Sequence, residues 1–486
     1  MPVDEGAPAA ETTPSHGAEL PRGLDAVPRS VVLEGRFGRL FRLLPPFEPP
    51  DDLLIDLGRS GGPMMEGTGG GQDNATIPSG FTYLGQFIDH DITFDPLSLL
   101  AKANDPDALV DFRSPRFDLD SLYASGPKAS PWLFDTRAPT KCLIGKNPAG
   151  EYDLPRNSQQ VALVGDPRND ENIIVSQLHA SILQFHNAIV THLAAKKANQ
   201  EAHALPGESL FDTAQRLVRW HYQWVVLHDF LPRIVGKPIV DARVTKDSQG
   251  KFTITLDHYE PQEQAFIPVE FAVAAYRFGH SMIRPRYDLN DVIVANIFGK
   301  PGDDPLSHLG GGRRLPDFWQ AKWSLFFKFP SKAAPQPSRK IDAKLARPLF
   351  QLPGTVVSSQ RPELHSLAVR NLLRGKALGL PSGQAVATAV GASPIANAQL
   401  GLSGAGWDSQ APLWFYILKE AQRAPQSGQR LGPVGGLIVA EVLLGLLKYD
   451  ATSFVNADTP WKPLKPIAPT AGNFGIANLL KFAGVA

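Results

Sequence analysis

A mainly α-helical protein is predicted for this chain, with few and short strands. Three observations carry the prediction. Apolar residues recur at helical spacing through residues 169–197, where Ile173, Ile174, Leu178, Ile182, Leu183, Phe185 and Ile189 fall in step. A second helical pattern runs through residues 208–234, by way of Trp220, Trp224, Val225 and Phe230. The 44 prolines and 43 glycines divide the rest into many helices joined by long loops. One segment, Phe252-Thr253-Ile254-Thr255-Leu256 within residues 240–256, reads as a strand in a hairpin.

Taken in order, residues 1–22 are rich in Pro, Ala, Glu and Thr and read as disordered. Residues 23–486 read as one large domain, with no repeat period and no interdomain linker. The first residues show no basic stretch followed by an apolar one, so no secretory signal is expected. Residues 61–80 carry Gly67, Gly69, Gly70 and Gly71 and read as a loop. A phosphate-cradling role there is disfavoured, because no strand precedes it and no lysine follows in place. A short helix carries residues 86–91, and residues 107–126 are loop-like and acidic. The pattern over 208–234 is expected to end at Pro232. Further helices are expected over 269–282, 362–374, 383–390, 412–422, 435–447 and 476–482. The longest apolar run, 434–447, contains Glu441 and is too short to span a bilayer, so it reads as a core helix and no transmembrane segment is expected.

Composition excludes some functions. Lys+Arg and Asp+Glu both total 48, and no basic arm is present, so a nucleic-acid partner is not expected. The single cysteine, Cys142, rules out an intramolecular disulfide and reads as a small buried hydrophobe. A cytoplasmic location is the default expectation, with non-classical export left open.

Chemistry concentrates in three segments. Gln86-Phe87-Ile88-Asp89-His90-Asp91 packs an amide, two carboxylates and an imidazole into six residues. On a helix Gln86, Asp89 and His90 share one face, while Asp91 is rotated off it and is free to serve a second site. A lone histidine on an apolar helix is usually a satisfied core residue. Flanking carboxylates and a same-face amide favour a neutral imidazole suited to taking a proton. In Tyr276-Arg277-Phe278-Gly279-His280-Ser281-Met282, Gly279 leaves room beside the imidazole for a flat group. In Gly165-Asp166-Pro167-Arg168-Asn169-Asp170-Glu171, Asp166-Pro167 reads as a turn into a long helix, with Arg168 and Glu171 in its first turn. Alone, that block reads as capping plus a surface ion pair.

Together and in this order, the three blocks resemble the peroxidase–cyclooxygenase superfamily, the animal-type haem peroxidases. The resemblance runs from about Thr82 to Ser382. It implies a mainly helical fold and a haem b cofactor. His90 is implied as the distal histidine, Arg168 as the distal arginine and Gln86 as the distal glutamine. His280 is implied as the proximal iron ligand, and Asp89 and Glu171 as the carboxylates that can esterify haem methyl groups. Arg277 is implied as a propionate partner. A fourth block, Arg370-Asn371-Leu372-Leu373-Arg374-Gly375, is similar to the family's Asn-x-x-Arg helix. By that match Asn371 accepts the N–H of His280 and Arg374 meets a propionate. The implied function is reduction of hydrogen peroxide through a ferryl intermediate, with oxidation of small phenolic or aromatic donors, halides or thiocyanate. The residue types suit it: a base moves the peroxide proton, a guanidinium stabilises charge as the O–O bond breaks, and an imidazole feeds the iron.

A second constellation agrees with the resemblance. In Ser114-Pro115-Arg116-Phe117-Asp118-Leu119-Asp120, oxygen ligands alternate. Asp118, Asp120, the Ser114 hydroxyl, the Arg116 carbonyl and Asp91 are expected to surround Ca²⁺, bracing His90 from behind. Three departures narrow the function. Asn172 follows Glu171, where a methionine would form a sulfonium bond to haem, which counts against chloride oxidation. Gly375-Lys376-Ala377-Leu378 replaces a charged run, and the absence of disulfides favours a bacterial-like branch. The position three before His280, which holds a radical tyrosine in the oxygenase branches, is Arg277, and Tyr276 is the wrong neighbour. Two alternatives remain: a fatty-acid dioxygenase, and a catalytically silent haem-binding or adhesion protein.

Overall fold

The computed structural model describes residues 35–94, 110–111, 113–262, 264–300, 302–354, 357, 359–468 and 473–486. The segment expected to be disordered, 1–22, lies outside them. Helix dominates. Among the described residues, sheet is confined to one three-stranded sheet and five two-stranded ones, so the mainly helical expectation holds.

The scaffold grows from the longest apolar pattern. Helix Ile173–Ala194 is buried along most of its length and packs against Leu210–Val225 and against Gly80–Ile92. Its start is fixed by Asn172, whose side chain accepts the Ile174 N–H at 2.9 Å. This helix is long and apolar enough to cross a membrane, but 83% of its apolar window is buried inside the protein, as in a core helix. Leu210–Val225 opens on a capping box between Ser209 and Asp212. It does not stop at Pro232 as expected. A π-helical turn, Val226–Phe230, shifts the register, and Pro232 then falls in the first turn of Leu231–Val235, where a missing N–H costs little.

The glycine-rich stretch is a loop only in its first part. Asp73–Pro78 forms a strand, antiparallel to Pro337–Arg339. Its partner lies far along the chain, so no local hairpin signal announces it. The hairpin expected within 240–256 is present as Val244–Lys246 paired with Phe252–Ile254. The apolar run at 434–447 lies in helix Pro433–Tyr449. Two buried glutamate side chains tie this helix to its surroundings. Glu420 accepts the Val434 and Gly435 N–H groups at its N-terminus. Glu441, fully buried, accepts the Asp257, His258 and Tyr259 N–H groups and an Arg243 guanidinium N–H at 2.9 Å.

Helices Leu367–Ala377 and Leu413–Gln422 support the segment expected as a helix over 269–282. That segment is helical but irregular, a π-helical turn at Glu270–Ala274 followed by 3₁₀ geometry over Ala275–Met282. It packs against Gly80–Ile92, so the segments bearing His280 and His90 meet.

Candidate active site

Between those segments lies a cavity of about 610 Å³. Gln86, Asp89 and His90 line it together, as one helix face requires, and Arg168, Glu171, Arg277, His280 and Arg374 line it too. Asp91 turns the other way and is fully buried.

Arg168 and Glu171 do not sit in the first turn of the long helix, as the sequence predicted. They belong to a 3₁₀ turn, Pro167–Asp170, and the residue that closes it, before Asn172 starts the helix. Asp166 caps this turn and grips Arg168 at 2.8 Å. The guanidinium also donates to the carbonyls of His90, at 3.2 Å, and of Thr93, and lies over the Phe94 ring at 4.6 Å. Burial would raise the Asp166 pKa, but Arg168 and Arg113 hold it well below the usual carboxylate range.

His90 is buried, and burial, reinforced by Arg168, lowers its pKa to about 3, so the imidazole is neutral at neutral pH. Its Nδ1 lies 2.8 Å from Asn169 Oδ1. Asn169 Nδ2 in turn donates to His179 Nδ1 at 3.0 Å. Neither Asn169 nor His179 was singled out from sequence. Gln86 donates to Glu171 Oε1 at 2.6 Å, and that oxygen is 3.7 Å from His90 Nε2. The Glu171 side chain is 53% exposed and lines the cavity. Desolvation beside the cavity wall raises its pKa to about 7, against the pull of Arg168. Water filling the cavity would reduce this shift, and an apolar occupant would preserve it. Asp89 is raised by burial, opposed by Arg168 and then Arg277.

Around His280, Asn371 is in place but turned. Its Nδ2 donates to His280 Nδ1 at 2.9 Å, while its Oδ1 accepts from Arg277 Nη1 at 2.5 Å. The sequence reading had Asn371 accepting the His280 N–H. The guanidinium carries only donors, so it claims the amide oxygen and leaves the NH₂ for the imidazole. Burial and then Arg277 lower the His280 pKa to about 3. Arg370, given no role from sequence, lines the same cavity, and its pKa is lowered by burial and by Arg374 beside it. The Tyr276 hydroxyl donates to the Gly85 carbonyl at 3.2 Å.

Behind His90, ligand oxygens of Asp91, Asp118 and Asp120 lie within 4.8 Å of one another. Among the described residues, neither buried Asp91 carboxylate oxygen has a hydrogen-bond partner. Burial, with Asp118 and Asp120 adding to it, raises the Asp91 pKa well above the ordinary value. Ser114 Oγ donates to Asp118 Oδ2 at 2.6 Å, and the Arg116 N–H donates to the Ser114 carbonyl at 2.8 Å, a tight turn that leads into Asp118. Asp120 Oδ1 also accepts from Arg113 Nη1 at 3.1 Å.

These residues fit the groups they would hold. The cavity volume falls within the range of about 300–1,000 Å³ usual for buried ligands. Among the described residues, a Cβ built on Gly279 would meet nothing within 4 Å, so open space adjoins His280, as a flat macrocycle needs. Arg277, Arg370 and Arg374 supply cations for two carboxylates. The buried Asp91 carboxylate, grouped with those of Asp118 and Asp120, fits a hard cation such as Ca²⁺.

Known proteins resemble this chain in sequence or in fold. A human protein, the probable oxidoreductase PXDNL, is 30% identical over 185 residues, covering 38% of this chain. The chain spans 11% of that relative's length. Peroxidase A from Dictyostelium discoideum has the same fold, with a TM-score of 0.60 at 16% identity, over 93% of this chain and 94% of that one. A fatty acid alpha-dioxygenase from Arabidopsis thaliana shares the fold with a TM-score of 0.56 at 14% identity, over 90% of this chain and 74% of that one. Residues 128–400 match the family model described as animal haem peroxidase. That match holds Arg168, Glu171, His280, Asn371 and Arg374, and the fold itself brings Gln86, Asp89 and His90 to them from outside it. With more than half of its 486 residues so matched, the chain belongs to the animal haem peroxidase family.

Proposed function

We propose that this protein is a haem peroxidase that reduces hydrogen peroxide and oxidises small phenolic or aromatic donors, halides or thiocyanate. One observation carries the proposal: a neutral, buried His90 and the Arg168 guanidinium share a single cavity with His280. Haem, when bound, supplies the redox chemistry. The protein's part is to hold it and to manage protons and charge. His90 Nε2 takes the first proton of peroxide and returns it to the departing oxygen. Arg168, locked by Asp166, offers fixed positive charge where negative charge develops. Gln86 orders a water or a halide beside His90. Asp89 and Glu171 would be the carboxylates able to esterify haem methyl groups, and Arg277, Arg370 and Arg374 would receive the propionates.

His280 would ligate iron through Nε2, which places its hydrogen on Nδ1. Asn371 would then present its oxygen to His280, and Arg277 would be released from that oxygen to meet a propionate. Asp91, Ser114, Arg116, Asp118 and Asp120 would hold Ca²⁺. A dioxygenase is disfavoured, because Arg277 occupies the radical-tyrosine position and Tyr276 is spent on the Gly85 carbonyl. The test is the optical spectrum of the haem-loaded protein before and after one equivalent of hydrogen peroxide. A Soret band that shifts at once and recovers with a phenol or iodide supports the proposal. A protein that takes up no haem, or a haem band indifferent to peroxide, overturns it; the latter outcome favours a silent haem-binding protein.

A further inference from the structure

Asn169 and His179 lie behind His90, away from the cavity. Asn169 follows Arg168 directly on the 3₁₀ turn Pro167–Asp170, but Arg168 reaches the cavity while Asn169 is fully buried. His179 comes from the middle of helix Ile173–Ala194 and is also buried, its ring edge-on to Phe87 at 6.0 Å. Three separate elements therefore converge in one line of hydrogen bonds, His90 Nδ1 to Asn169 Oδ1 at 2.8 Å and Asn169 Nδ2 to His179 Nδ1 at 3.0 Å.

A primary amide has two unlike ends, so this line has a direction. The amide oxygen only accepts, which puts the hydrogen of His90 on Nδ1 and leaves the Nε2 lone pair facing the cavity. The amide nitrogen only donates, which makes His179 Nδ1 the acceptor that holds the amide in this orientation. Reverse the amide and the consequence reverses. Asn169 would donate to His90 Nδ1, the ring hydrogen would move to Nε2, and no lone pair would meet an incoming proton. All three residues are at most 4% exposed, so bulk water does not compete for these hydrogen bonds.

We propose that Asn169 and His179 are positioning residues that fix the tautomer of His90, keeping Nε2 free as a base. This rests on the role given to His90 above. It predicts more than loss of packing. A step that needs a base at Nε2 should fail, and steps that do not should survive.

The test uses the full-length, haem-loaded protein and two reactions that each release a proton to a base: single-turnover reaction with hydrogen peroxide, and association of cyanide added as HCN, a ligand-binding reaction without turnover. Asn169→Leu is expected to slow both by about 10- to 100-fold, the usual effect of removing the partner that orients a histidine. Haem content and the rate of re-reduction by a phenol donor should stay within about twofold. Asn169→Asp keeps an acceptor for the His90 N–H and should recover most of the loss. His179→Leu releases the amide and should slow both reactions about tenfold. It also decides the matter, together with Asn169→Asp, if Asn169→Leu fails to load haem. His90→Leu is the reference. If it leaves both rates unchanged, the base assignment itself fails. If His90→Leu slows both and the Asn169 and His179 variants do not, or if Asn169→Asp falls as far as Asn169→Leu, the tautomer relay is overturned alone.

Discussion

Asp91→Asn separates two effects of opposite sign that the wild-type carboxylate combines. With no cation present, Asp91 sits within 4.8 Å of ligand oxygens from Asp118 and Asp120. At an effective dielectric of about 20, each ionised pair at that separation costs about 3.5 kcal/mol. The folded protein avoids this by keeping a proton on Asp91, in line with a pKa well above the ordinary one. Asparagine is neutral from the start and nearly the same shape. In chelator the variant should therefore be as stable as wild type, or more stable by up to about 2 kcal/mol. With calcium the sign turns. A cation present at about 1,000 times its Kd stabilises the native state by about 4.1 kcal/mol. The substituted amide has neither the charge nor the second oxygen to hold it, so most of that is lost. With an unfolding entropy of about 2.1 cal/mol/K per residue, a chain of this length converts about 4 kcal/mol into about 4 °C. The assay is scanning calorimetry of both proteins in EDTA and in about 1 mM Ca²⁺. Wild type should gain about 4 °C from calcium and the variant little. Equal destabilisation of the variant in both buffers would refute a cation site, since it would mean that the carboxylate matters only as packing.

Gly279→Val should leave the haem-free fold within about 0.5 kcal/mol, because a side chain there meets open space, yet weaken haem uptake at least about tenfold. Soret titration checks it, and normal loading would contradict a macrocycle beside His280. Repeated peroxide turnover should leave haem that acid-acetone no longer extracts, with Asp89→Asn and Glu171→Gln each restoring part of the extraction; fully extractable haem from turned-over wild type would exclude ester bonds. Glu420, raised to about 7 by burial and opposed in this by the Val434 and Gly435 N–H groups, keeps its proton up to about pH 7 in the native state, whereas the unfolded chain releases it above the ordinary value of 4.5. Its contribution to stability is then fully present below pH 4.5 and declines as pH rises to about 7, by at most about 3 kcal/mol. Melting temperatures at pH 5 and pH 7.5 should show that Glu420→Gln removes this part of the decline, and an unchanged difference would sink it.

How much of the site could be read in the sequence depended on how local each signal is. Gln86, Asp89 and His90 obey a helix period within six residues, so their shared face was visible, and so was the rotation of Asp91 away from it. His280 announced itself through the adjoining Gly279. Asn169 did not, because one amide between Arg168 and Asp170 has no period to obey, and its meaning comes from His90 and His179 in other elements. His179 was hidden for the opposite reason: it sits on a long apolar helix, where a histidine reads as core. Strand Asp73–Pro78 was lost inside a glycine-rich stretch because its partner Arg339 lies 266 residues from Asp73. The turned amide of Asn371 could not be foreseen, since sequence names the residue but not which end meets the imidazole.

One chain of charges joins the cation site to the cavity, and it bears on what calcium does for the reaction. Asp120 Oδ1 accepts from Arg113 Nη1 at 3.1 Å, Arg113 Nη2 pairs with Asp166 Oδ2 at 2.9 Å, and Asp166 Oδ2 pairs with Arg168 Nη2 at 2.8 Å. Arg168 Nη2 then donates to the His90 carbonyl at 3.2 Å, next to Asp91. The loop therefore closes: it leaves the cation site at Asp120 and returns at His90. Asp120 is shared between Arg113 and its carboxylate neighbours, and burial raises its pKa to about 6, opposed by Arg113. A cation fixes Asp120 in its charged form and so anchors Arg113. Without one, Asp120 takes up a proton below about pH 6 and Arg113 loses that anchor. Asp166 must then hold two guanidinium groups that are no longer braced, and Arg168 loses the rigidity that makes a preorganised charge effective. Asp91→Asn protein saturated with haem should therefore react with peroxide more slowly than wild type, by about tenfold or more, although the side chain at this position touches nothing in the cavity. Stopped-flow at pH 5.5 and pH 7.5 separates this from a general loosening. The deficit should widen at the lower pH, where Asp120 is protonated, and a deficit that ignores pH would break the link between the two sites.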